Sequence, residues 1–296
     1  MPLGAALAAE ISRACGRPFR AESQRAASGG CIHRSLILQG GGERWFVKLN
    51  TPDRLPIFEA ERAGLAAMED TGAIRVPRPL CCAVVEDHAC LVLECLDLQP
   101  LTQGASAAAL ARALAALHRT SGPHFGWIRD NFIGTTPQPN PACDDWPRFF
   151  ARHRLLPQLQ RAAAGGHAGR LCERGEILLR LLPGLFIDYR PQPSLLHGDL
   201  WHGNAAVLGN GTPVAFDPAV YWGDRETDLA MSELFGGYPA AFYAAYRDAW
   251  PLAEGYETRK TLYNLYHVLN HLNLFGAGYL RQAERMVDRL LAELRN

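Results

Sequence analysis

Residues 195–218 contain the side chains best suited to chemistry. His197-Gly198-Asp199 is followed by Asn204, and Asp217 comes directly after the apolar run 214–216. Phosphoryl transfer to a hydroxyl group needs an aspartate that orients the acceptor and takes its proton. It also needs an asparagine and a second aspartate that hold Mg²⁺ against the nucleotide phosphates. The spacing matches this set, so Asp199 is predicted to accept the proton, and Asn204 and Asp217 to bind the metal.

A purely structural interpretation of this stretch is also available. Asp199 and Asn204 could simply cap turns, and a lone His-Gly-Asp would not decide between the two interpretations. Here Asn204 and Asp217 follow His197-Gly198-Asp199 at the spacing of the kinase template, and this spacing favours the chemical interpretation.

Binding of phosphates also requires a cation. Lys48 lies in a predicted strand, and Glu61, on the apolar stripe of the following helix, is its predicted partner. Glu59 lies on the other side of that helix, and the pair taken alone could be a surface salt bridge. Gly29 and Gly30 could bring backbone amides to the phosphates, although an ordinary turn explains them equally well.

The adenine base is expected where the predicted sheet ends. Glu94, Cys95 and Leu96 occupy this position, and a backbone carbonyl and amide there would pair with the edge of the base. The predicted cofactors are therefore ATP and Mg²⁺.

A small sheet and a set of helices must position these residues. The pattern predicts a β-hairpin, a helix with one apolar face, two further strands and then mainly helices. The corresponding ranges are 35–49, 58–68, 80–85, 90–94 and 107–118 onward. The predicted fold is α+β, with a small antiparallel-sheet N-terminal lobe that contains one helix and a larger helical C-terminal lobe. The predicted division is 1–96 and 97–296.

Two regions of the larger lobe have their own predictions. The glycine- and proline-rich segment 122–147 is long for an idle loop and is expected to carry function. In the region 256–275, five apolar residues recur at helical spacing and are predicted to lie in the core. They are Tyr263, Tyr266, Leu269, Leu272 and Phe275.

Composition excludes several classes of protein. Thirty Lys and Arg residues balance thirty Asp and Glu residues over 296 positions, which argues against a nucleic-acid binder held by a basic surface. No run approaches the ~20 apolar residues of a membrane helix, and Glu10 and Arg13 do not suit a secretory signal. The eight cysteines are scattered, without a Cys-x-x-Cys pair. They indicate a reducing, cytoplasmic compartment and no structural zinc site.

Longer sequence strings carry a family resemblance. The chain resembles the fructosamine 3-kinase (ketosamine 3-kinase) family, within the protein-kinase-like superfamily that includes aminoglycoside and choline kinases. The resemblance runs over essentially the whole chain. Its strings are 195–201 with Gly203-Asn204, Asp217-Pro218-Ala219 with Tyr221 and Gly223, Phe235-Gly236-Gly237, Asp145-Trp146-Pro147 and Val76-Pro77-Arg78-Pro79.

The resemblance implies a two-lobed kinase fold and ATP-dependent phosphorylation of the 3-hydroxyl group of a ketosamine. The 3-phosphate is unstable and releases the free amine, so the implied role is deglycation. Asp199 would accept the proton, Asn204 and Asp217 would hold Mg²⁺, and Lys48, oriented by Glu61, would bind phosphates. The implied partner is a small-molecule or protein-bound ketosamine, and a monomer and a homodimer are both open.

Three residues have less certain assignments. Trp201 lies between the predicted base and the metal-binding Asn204, and it either packs structurally or forms a wall of the acceptor pocket. His202 stands where many relatives have a small polar residue, so it is a second candidate for the acceptor site. Cys31 follows Gly29-Gly30, where amides and Lys48 would favour an oxidisable thiolate. The alternative is that Cys31 only fills a gap in the loop.

Two other functions are open. Another small-molecule kinase of this fold, acting on an aminoglycoside or choline, would suit the same machinery. An aminoglycoside site should be rich in carboxylates, however, and 256–275 contains only Glu257. A non-catalytic pseudokinase would lack part of the catalytic set, which is complete here.

Overall fold

The N-terminal region is built on a five-stranded antiparallel sheet. The structure is a computed structural model that describes residues 3–27 and 33–295. The strands stand in the order β1-β2-β3-β5-β4. They are β1 (Ser23–Ala26), β2 (Arg34–Gly40), β3 (Glu43–Asn50), β4 (Pro79–Val85) and β5 (His88–Glu94). Gly29, Gly30 and Cys31 lie outside the described residues, so the predictions made for them stay predictions.

The predicted hairpin is confirmed as β2 and β3. Its turn residues Gly41 and Gly42 have φ angles of 59° and 80°, the left-handed values that a tight hairpin turn requires at both central positions. Side chains alternate along β3, so that Val47 lies in the core on one face while Phe46 packs on the other. Lys48 is therefore on the same face as Phe46, as the alternation predicts.

Two helices cover this sheet, so the prediction of one helix in the N-terminal lobe is wrong. They are α1 (Leu3–Cys15) and α2 (Leu55–Asp70). Leu7 and Ile11 of α1 are fully buried against one face of the sheet, and Phe58 and Leu65 of α2 pack on the other. A sheet with apolar residues on both faces needs a cover on each side, and α1 supplies the second cover.

The C-terminal region is mainly helical, as predicted. Its helices are α3 (Gly104–His118), α4 (Trp146–Phe150), α5 (Leu156–Ala162), α6 (Glu173–Leu181), α7 (Glu226–Leu234), α8 (Ala240–Ala249), α9 (Tyr256–Phe275) and α10 (Leu280–Glu293). Its short strands are β6 (Leu98–Pro100), β7 (Asn131–Ile133), β8 (Thr136–Gln138), β9 (Ser194–Leu196), β10 (Ala205–Leu208), β11 (Pro213–Ala215) and β12 (Tyr221–Gly223). Of the helices in the described residues, none is long and apolar enough to cross a membrane.

Strand pairing brings two loops of this region together. β9 pairs with β12 and β10 pairs with β11, all antiparallel. The loop 197–204 between β9 and β10 therefore lies beside the loop 216–220 between β11 and β12. Two backbone hydrogen bonds join them, from the Ala219 amide to the His197 carbonyl at 2.8 Å and from the Phe216 amide to the Asn204 carbonyl at 3.0 Å.

The core predictions for α9 are confirmed for four residues and wrong for one. Tyr263, Tyr266, Leu269 and Leu272 are buried in the cluster that also holds Trp146. Phe275, in contrast, is 59% exposed. It lies at the last position of α9, directly before Gly276.

Candidate active site

Lys48 connects the sheet to the C-terminal region through two carboxylates. Its Nζ donates hydrogen bonds to Oε1 of Glu61 and to Oδ1 of Asp217, each at 2.6 Å. Lys48 and Glu61 are buried, whereas the Asp217 side chain is 39% exposed. The predicted pair of Lys48 with Glu61 is thus present, and Glu59 instead contacts Arg129 at 3.4 Å.

The ammonium of Lys48 is held in its charged form. Burial by itself lowers a lysine pKa, but the carboxylates of Asp217 and Glu61 outweigh this effect and raise the pKa of Lys48 above its usual value. A permanent cation at this point can bind an anionic group, which either displaces Asp217 from Lys48 or binds Lys48 together with Asp217.

Asp199 lies in the loop after β9 and contacts Asn204. The Asn204 amide nitrogen donates to the Asp199 carbonyl at 2.9 Å and to Asp199 Oδ2 at 3.2 Å. Burial, followed by the negative charge of Asp217, raises the pKa of Asp199 to about 7. A carboxylate with such a pKa is a better proton acceptor than an exposed aspartate.

The backbone of this loop requires Gly198. Gly198 has a φ of +81°, and a Cβ atom built there would lie 2.0 Å from the carbonyl oxygen of Ala219. No side chain fits between the two loops at this point. This clash explains why glycine stands at the position that the protein-kinase template fills with arginine.

Asp228 of α7 anchors the same loop, and the sequence interpretation missed it. Its carboxylate accepts hydrogen bonds from the amides of His197 at 2.7 Å and Gly198 at 2.8 Å, and contacts Nε2 of His118 at 3.1 Å. Burial alone would raise its pKa, but these hydrogen bonds and the two histidines lower it. The signal in the sequence was a carboxylate directly before the apolar run Leu229-Ala230-Met231. His118 is itself buried.

The imidazole of His197 joins the two loops. It is buried, and burial lowers its pKa, so the ring is neutral. Its Nε2 lies 3.0 Å from the Phe216 carbonyl, which can only accept, and its Nδ1 accepts from the Asp199 amide at 3.3 Å. The ring thereby couples the position of Asp199 to the segment that ends at Asp217.

The long segment 122–147 supports the Asp217 loop from the other side. Asn131 donates from Nδ2 to the Val220 carbonyl at 2.7 Å. The buried guanidinium of Arg154 donates to the Pro139 carbonyl at 2.7 Å and to Oδ1 of Asn140 at 2.6 Å, and it lies 4.0 Å from the Tyr221 ring centroid. The segment holds the backbone just after Asp217.

The predicted adenine edge is only partly free. The Glu94 amide donates to the Arg78 carbonyl at 2.8 Å, and its carboxylate binds Arg75 at 2.5 Å and the Arg78 amide at 3.2 Å. The amide and the carboxylate of Glu94 are thus already hydrogen-bonded within the protein. Cys95 and Leu96 follow it outside the strand.

Trp201 and His202 lie in the loop 197–204, near other aromatic rings. The Trp201 ring folds over Gly203, where a Cβ atom would lie 2.4 Å from the indole. Its ring centroid is 4.8 Å from that of His202 and 6.5 Å from that of Phe235. Tyr238 donates its hydroxyl hydrogen to the Trp201 carbonyl at 2.8 Å. Trp201 is half-buried and His202 is exposed.

Asn204 and Asp217 provide a ligand set that fits Mg²⁺. The amide nitrogen of Asn204 is engaged with Asp199, and within the described residues its amide oxygen accepts no hydrogen bond. Asp217 adds a carboxylate. Nowhere in the described ranges 3–27 and 33–295 do three or more His, Cys, Asp or Glu side chains form a metal cluster. Mg²⁺ is commonly held by one or two protein oxygens together with phosphate oxygens and water.

Comparison with known proteins identifies the family. The sequence profile of the fructosamine kinase family matches residues 4–293. The chain is 48% identical to the probable ketoamine kinase slr1563 of Synechocystis, over 96% of each sequence. It is 37% identical to the chloroplastic protein-ribulosamine 3-kinase of Oryza sativa subsp. japonica, over 90% of this chain and 78% of that one.

Solved structures agree with this result. A protein assigned as a fructosamine-3-kinase from Haemophilus somnus 129PT superposes with a TM-score of 0.88 at 28% identity, over 96% of each chain. Aminoglycoside phosphotransferase APH(4)-Ia superposes with a TM-score of 0.61 at 15% identity, over 98% of each chain, and shows the shared fold. The predicted α+β kinase-like fold is therefore confirmed. The chain belongs to the fructosamine kinase family and is a kinase.

Proposed function

We propose that this chain transfers the γ-phosphate of ATP to the 3-hydroxyl group of a ketosamine. The observation that carries the proposal is the convergence of Lys48, Asp199, Asn204 and Asp217 around two adjacent loops. A cation for phosphate, oxygen ligands for a metal and a carboxylate with a raised pKa are the parts that phosphoryl transfer needs. Relatives named as ketoamine and ribulosamine kinases support the acceptor class.

The nucleotide is assigned to the region where Lys48 of the sheet meets the two loops. Lys48, oriented by Glu61 at 2.6 Å, binds phosphate oxygens. The backbone groups of Cys95 and Leu96 pair with the adenine edge, because the Glu94 amide is already used within the sheet. We retain the division at residues 96 and 97 as the proposed lobe boundary.

Asn204 and Asp217 are the proposed magnesium ligands. When bound, Mg²⁺ would neutralise the negative charge that develops on the phosphates during the transfer. Asp217 has a φ of 58°, a left-handed backbone conformation that is strained for a residue with a side chain. The backbone around Asp217, held by His197 and Asn131, maintains this conformation and thereby directs the carboxylate towards Lys48.

Asp199 is the proposed proton acceptor. Its Oδ2 accepts one hydrogen bond from Asn204, which fixes the carboxyl group, and its remaining lone pairs can orient the acceptor hydroxyl. The sugar hydroxyl loses its proton to Asp199 as its oxygen bonds to the γ-phosphorus, and ADP leaves with the electrons of the broken bond. Trp201 and His202 form the proposed wall of the acceptor site.

The physiological consequence we propose is deglycation. The ketosamine 3-phosphate loses its phosphate and breaks down, which returns the free amine. The aromatic rings next to Trp201 suit a sugar adduct better than a polycationic aminoglycoside, because the segment 264–280, which supplies His271, contains no carboxylate.

A substrate panel tests the proposal. Purified protein with ATP and Mg²⁺ is assayed for ADP formation with fructosamines, ribulosamines and erythrulosamines, and with kanamycin and choline. We expect ADP formation with at least one ketosamine and none with kanamycin or choline. Turnover of kanamycin or choline, with no turnover of any ketosamine, would overturn the assignment.

A further inference from the structure

A row of aromatic rings runs from the catalytic loop to the end of α9. It consists of Trp201, Phe235, His271 and Phe275, and we call it the aromatic ridge. Successive ring centroids are 6.5 Å, 4.6 Å and 5.3 Å apart. The ridge begins two residues after Asp199 and therefore starts at the proposed acceptor site.

The ridge is most exposed at the end that lies farthest from the loop 197–204. Trp201, Phe235 and His271 are half-buried, and Phe275 is 59% exposed. An exposed apolar surface that continues outward from a catalytic centre is typical of a binding site rather than of a core. None of the core clusters of buried residues in the described part of the chain includes these four side chains.

The ridge carries no formal charge. Residues 264–280 contain no Asp, Glu, Lys or Arg. Nδ1 of His271 lies 2.8 Å from the His267 carbonyl, which can only accept, so Nδ1 carries the hydrogen and Nε2 keeps a lone pair. The surface thus offers aromatic faces and one acceptor nitrogen, which suit an alkyl chain attached to a cationic nitrogen.

The chemistry of the proposed substrate places such a group here. In a ketosamine the amine nitrogen is three bonds from C3, the carbon that carries the reacting hydroxyl. With that hydroxyl on Asp199, the substituent on nitrogen must leave the site past the residues that flank Asp199. Trp201 flanks it, and the ridge continues from Trp201.

We propose that the aromatic ridge binds the amine half of the ketosamine, with the protonated nitrogen near Trp201 and its alkyl chain along Phe235, His271 and Phe275. This inference rests on the proposed function. It assigns a preference for ketosamines of long apolar amines, such as the side chain of lysine, over ketosamines of short amines.

The test compares two substrates that differ only in the amine, the hexylamine and methylamine adducts of ribulose. Wild type should use the hexylamine adduct with a higher kcat/KM. In Phe275→Ala the hexylamine-to-methylamine ratio of kcat/KM should fall about tenfold, mainly through KM, because the alkyl chain loses part of its contact surface. Phe275→Leu, which keeps an apolar side chain, should lose less.

The control variant is Ile187→Ala, which removes an apolar side chain that is 77% exposed and lies outside the ridge. It should leave the ratio unchanged. Thermal unfolding of each variant verifies that it is folded. A wild-type ratio near one, or an unchanged ratio in both Phe275 variants, overturns the inference alone. Failure of wild type to turn over any ketosamine overturns the proposed function as well.

Discussion

Nζ of Lys48 lies 2.6 Å from Oδ1 of Asp217, although the two residues are 169 positions apart in the chain. This contact joins β3 to the loop after β11. The same ammonium binds Glu61 of α2, so one cation lies between a carboxylate of the N-terminal region and one of the C-terminal region. Under the proposed function, an anionic nucleotide entering here would compete with Asp217 for Lys48, and the Asp217 carboxylate would then be available to a metal ion.

Removal of the Asp199 carboxylate charge should abolish most turnover. Asp199→Asn keeps the shape and the contact with Asn204 but cannot take the proton, so kcat should fall about 10²–10⁴-fold. Nucleotide affinity, measured by calorimetry with Mg²⁺ and a non-hydrolysable ATP analogue, should change little. Asp217→Asn should instead weaken this Mg²⁺-dependent binding. Near-wild-type turnover of Asp199→Asn at saturating ketosamine would disprove the assignment of the base.

Glu61 and Glu59 offer a matched pair on α2. Glu61→Gln leaves Lys48 with a weaker and less directional partner, so kcat/KM for ATP should decrease about 10–100-fold through misplacement of the ammonium. Glu59→Gln changes the same residue type two positions away, at a half-exposed carboxylate that pairs with Arg129 and not with Lys48, and it should have little effect. Steady-state kinetics with varied ATP distinguish the two. Equal effects of both variants would argue against a specific role of Glu61.

Asp228 should contribute both stability and activity. Asp228→Asn replaces one acceptor oxygen by a donor, which opposes either the His197 or the Gly198 amide. The free energy of unfolding should decrease by about 1.5–3 kcal/mol, and kcat should fall because Asp199 loses its fixed position. Asp248→Asn, at an exposed position of α8, is the control and should alter neither quantity. Urea denaturation and turnover assays measure the two effects. Wild-type stability and kcat in Asp228→Asn would show that Asp228 does not position the loop.

Alanine substitutions at Gly198 and Gly211 distinguish the cost of a steric clash from the cost of backbone strain. Both have positive φ, +81° and +85°, but a Cβ at Gly198 meets the Ala219 carbonyl whereas at Gly211 it meets nothing within 4 Å. Gly211→Ala should cost only about 1–2 kcal/mol of left-handed strain. Gly198→Ala should cost distinctly more and should also lower kcat. Chemical denaturation of the two variants makes the comparison, and equal losses would show that the loops can move apart freely.

His267 should make the protein sensitive to acid. It is buried on α9, and burial, followed by the neighbouring His271, lowers its pKa to about 3 from an ordinary value of 6.5. Between these two pH values, His267 is therefore protonated in the unfolded chain and neutral in the folded chain. The free energy of unfolding should decrease by about 1.4 kcal/mol per pH unit from this residue as the pH falls below 6.5.

The variant His267→Gln tests this prediction. It lacks the titrating group, so its free energy of unfolding should decline less steeply between pH 6.5 and 4.5, whatever its stability at neutral pH. Urea denaturation at several pH values gives the slope for each protein. Parallel slopes for wild type and variant would show that His267 is protonated as easily in the folded state as in the unfolded one.

The sequence alone was sufficient for features that depend on neighbouring residues. The β2–β3 hairpin, the face of β3 that carries Lys48 and the choice of Glu61 over Glu59 all follow from periods of two and 3.6 residues. The sequence spacing of Asp199 and Asn204 also predicted that they lie close together. They contact each other because a single loop between β9 and β10 contains both.

Only the tertiary structure decided the rest, because those features depend on contacts between distant segments. Asp228 binds the amide of Gly198, 30 residues away in the chain, and Phe275 is exposed although it continues a buried helical stripe. Periodicity states which face of a helix is apolar, but it does not state how far the neighbouring helices extend to cover that face. For the same reason, the sequence could propose Lys48 and Asp217 as parts of one site, but only the packing of the sheet against the loops placed one against the other.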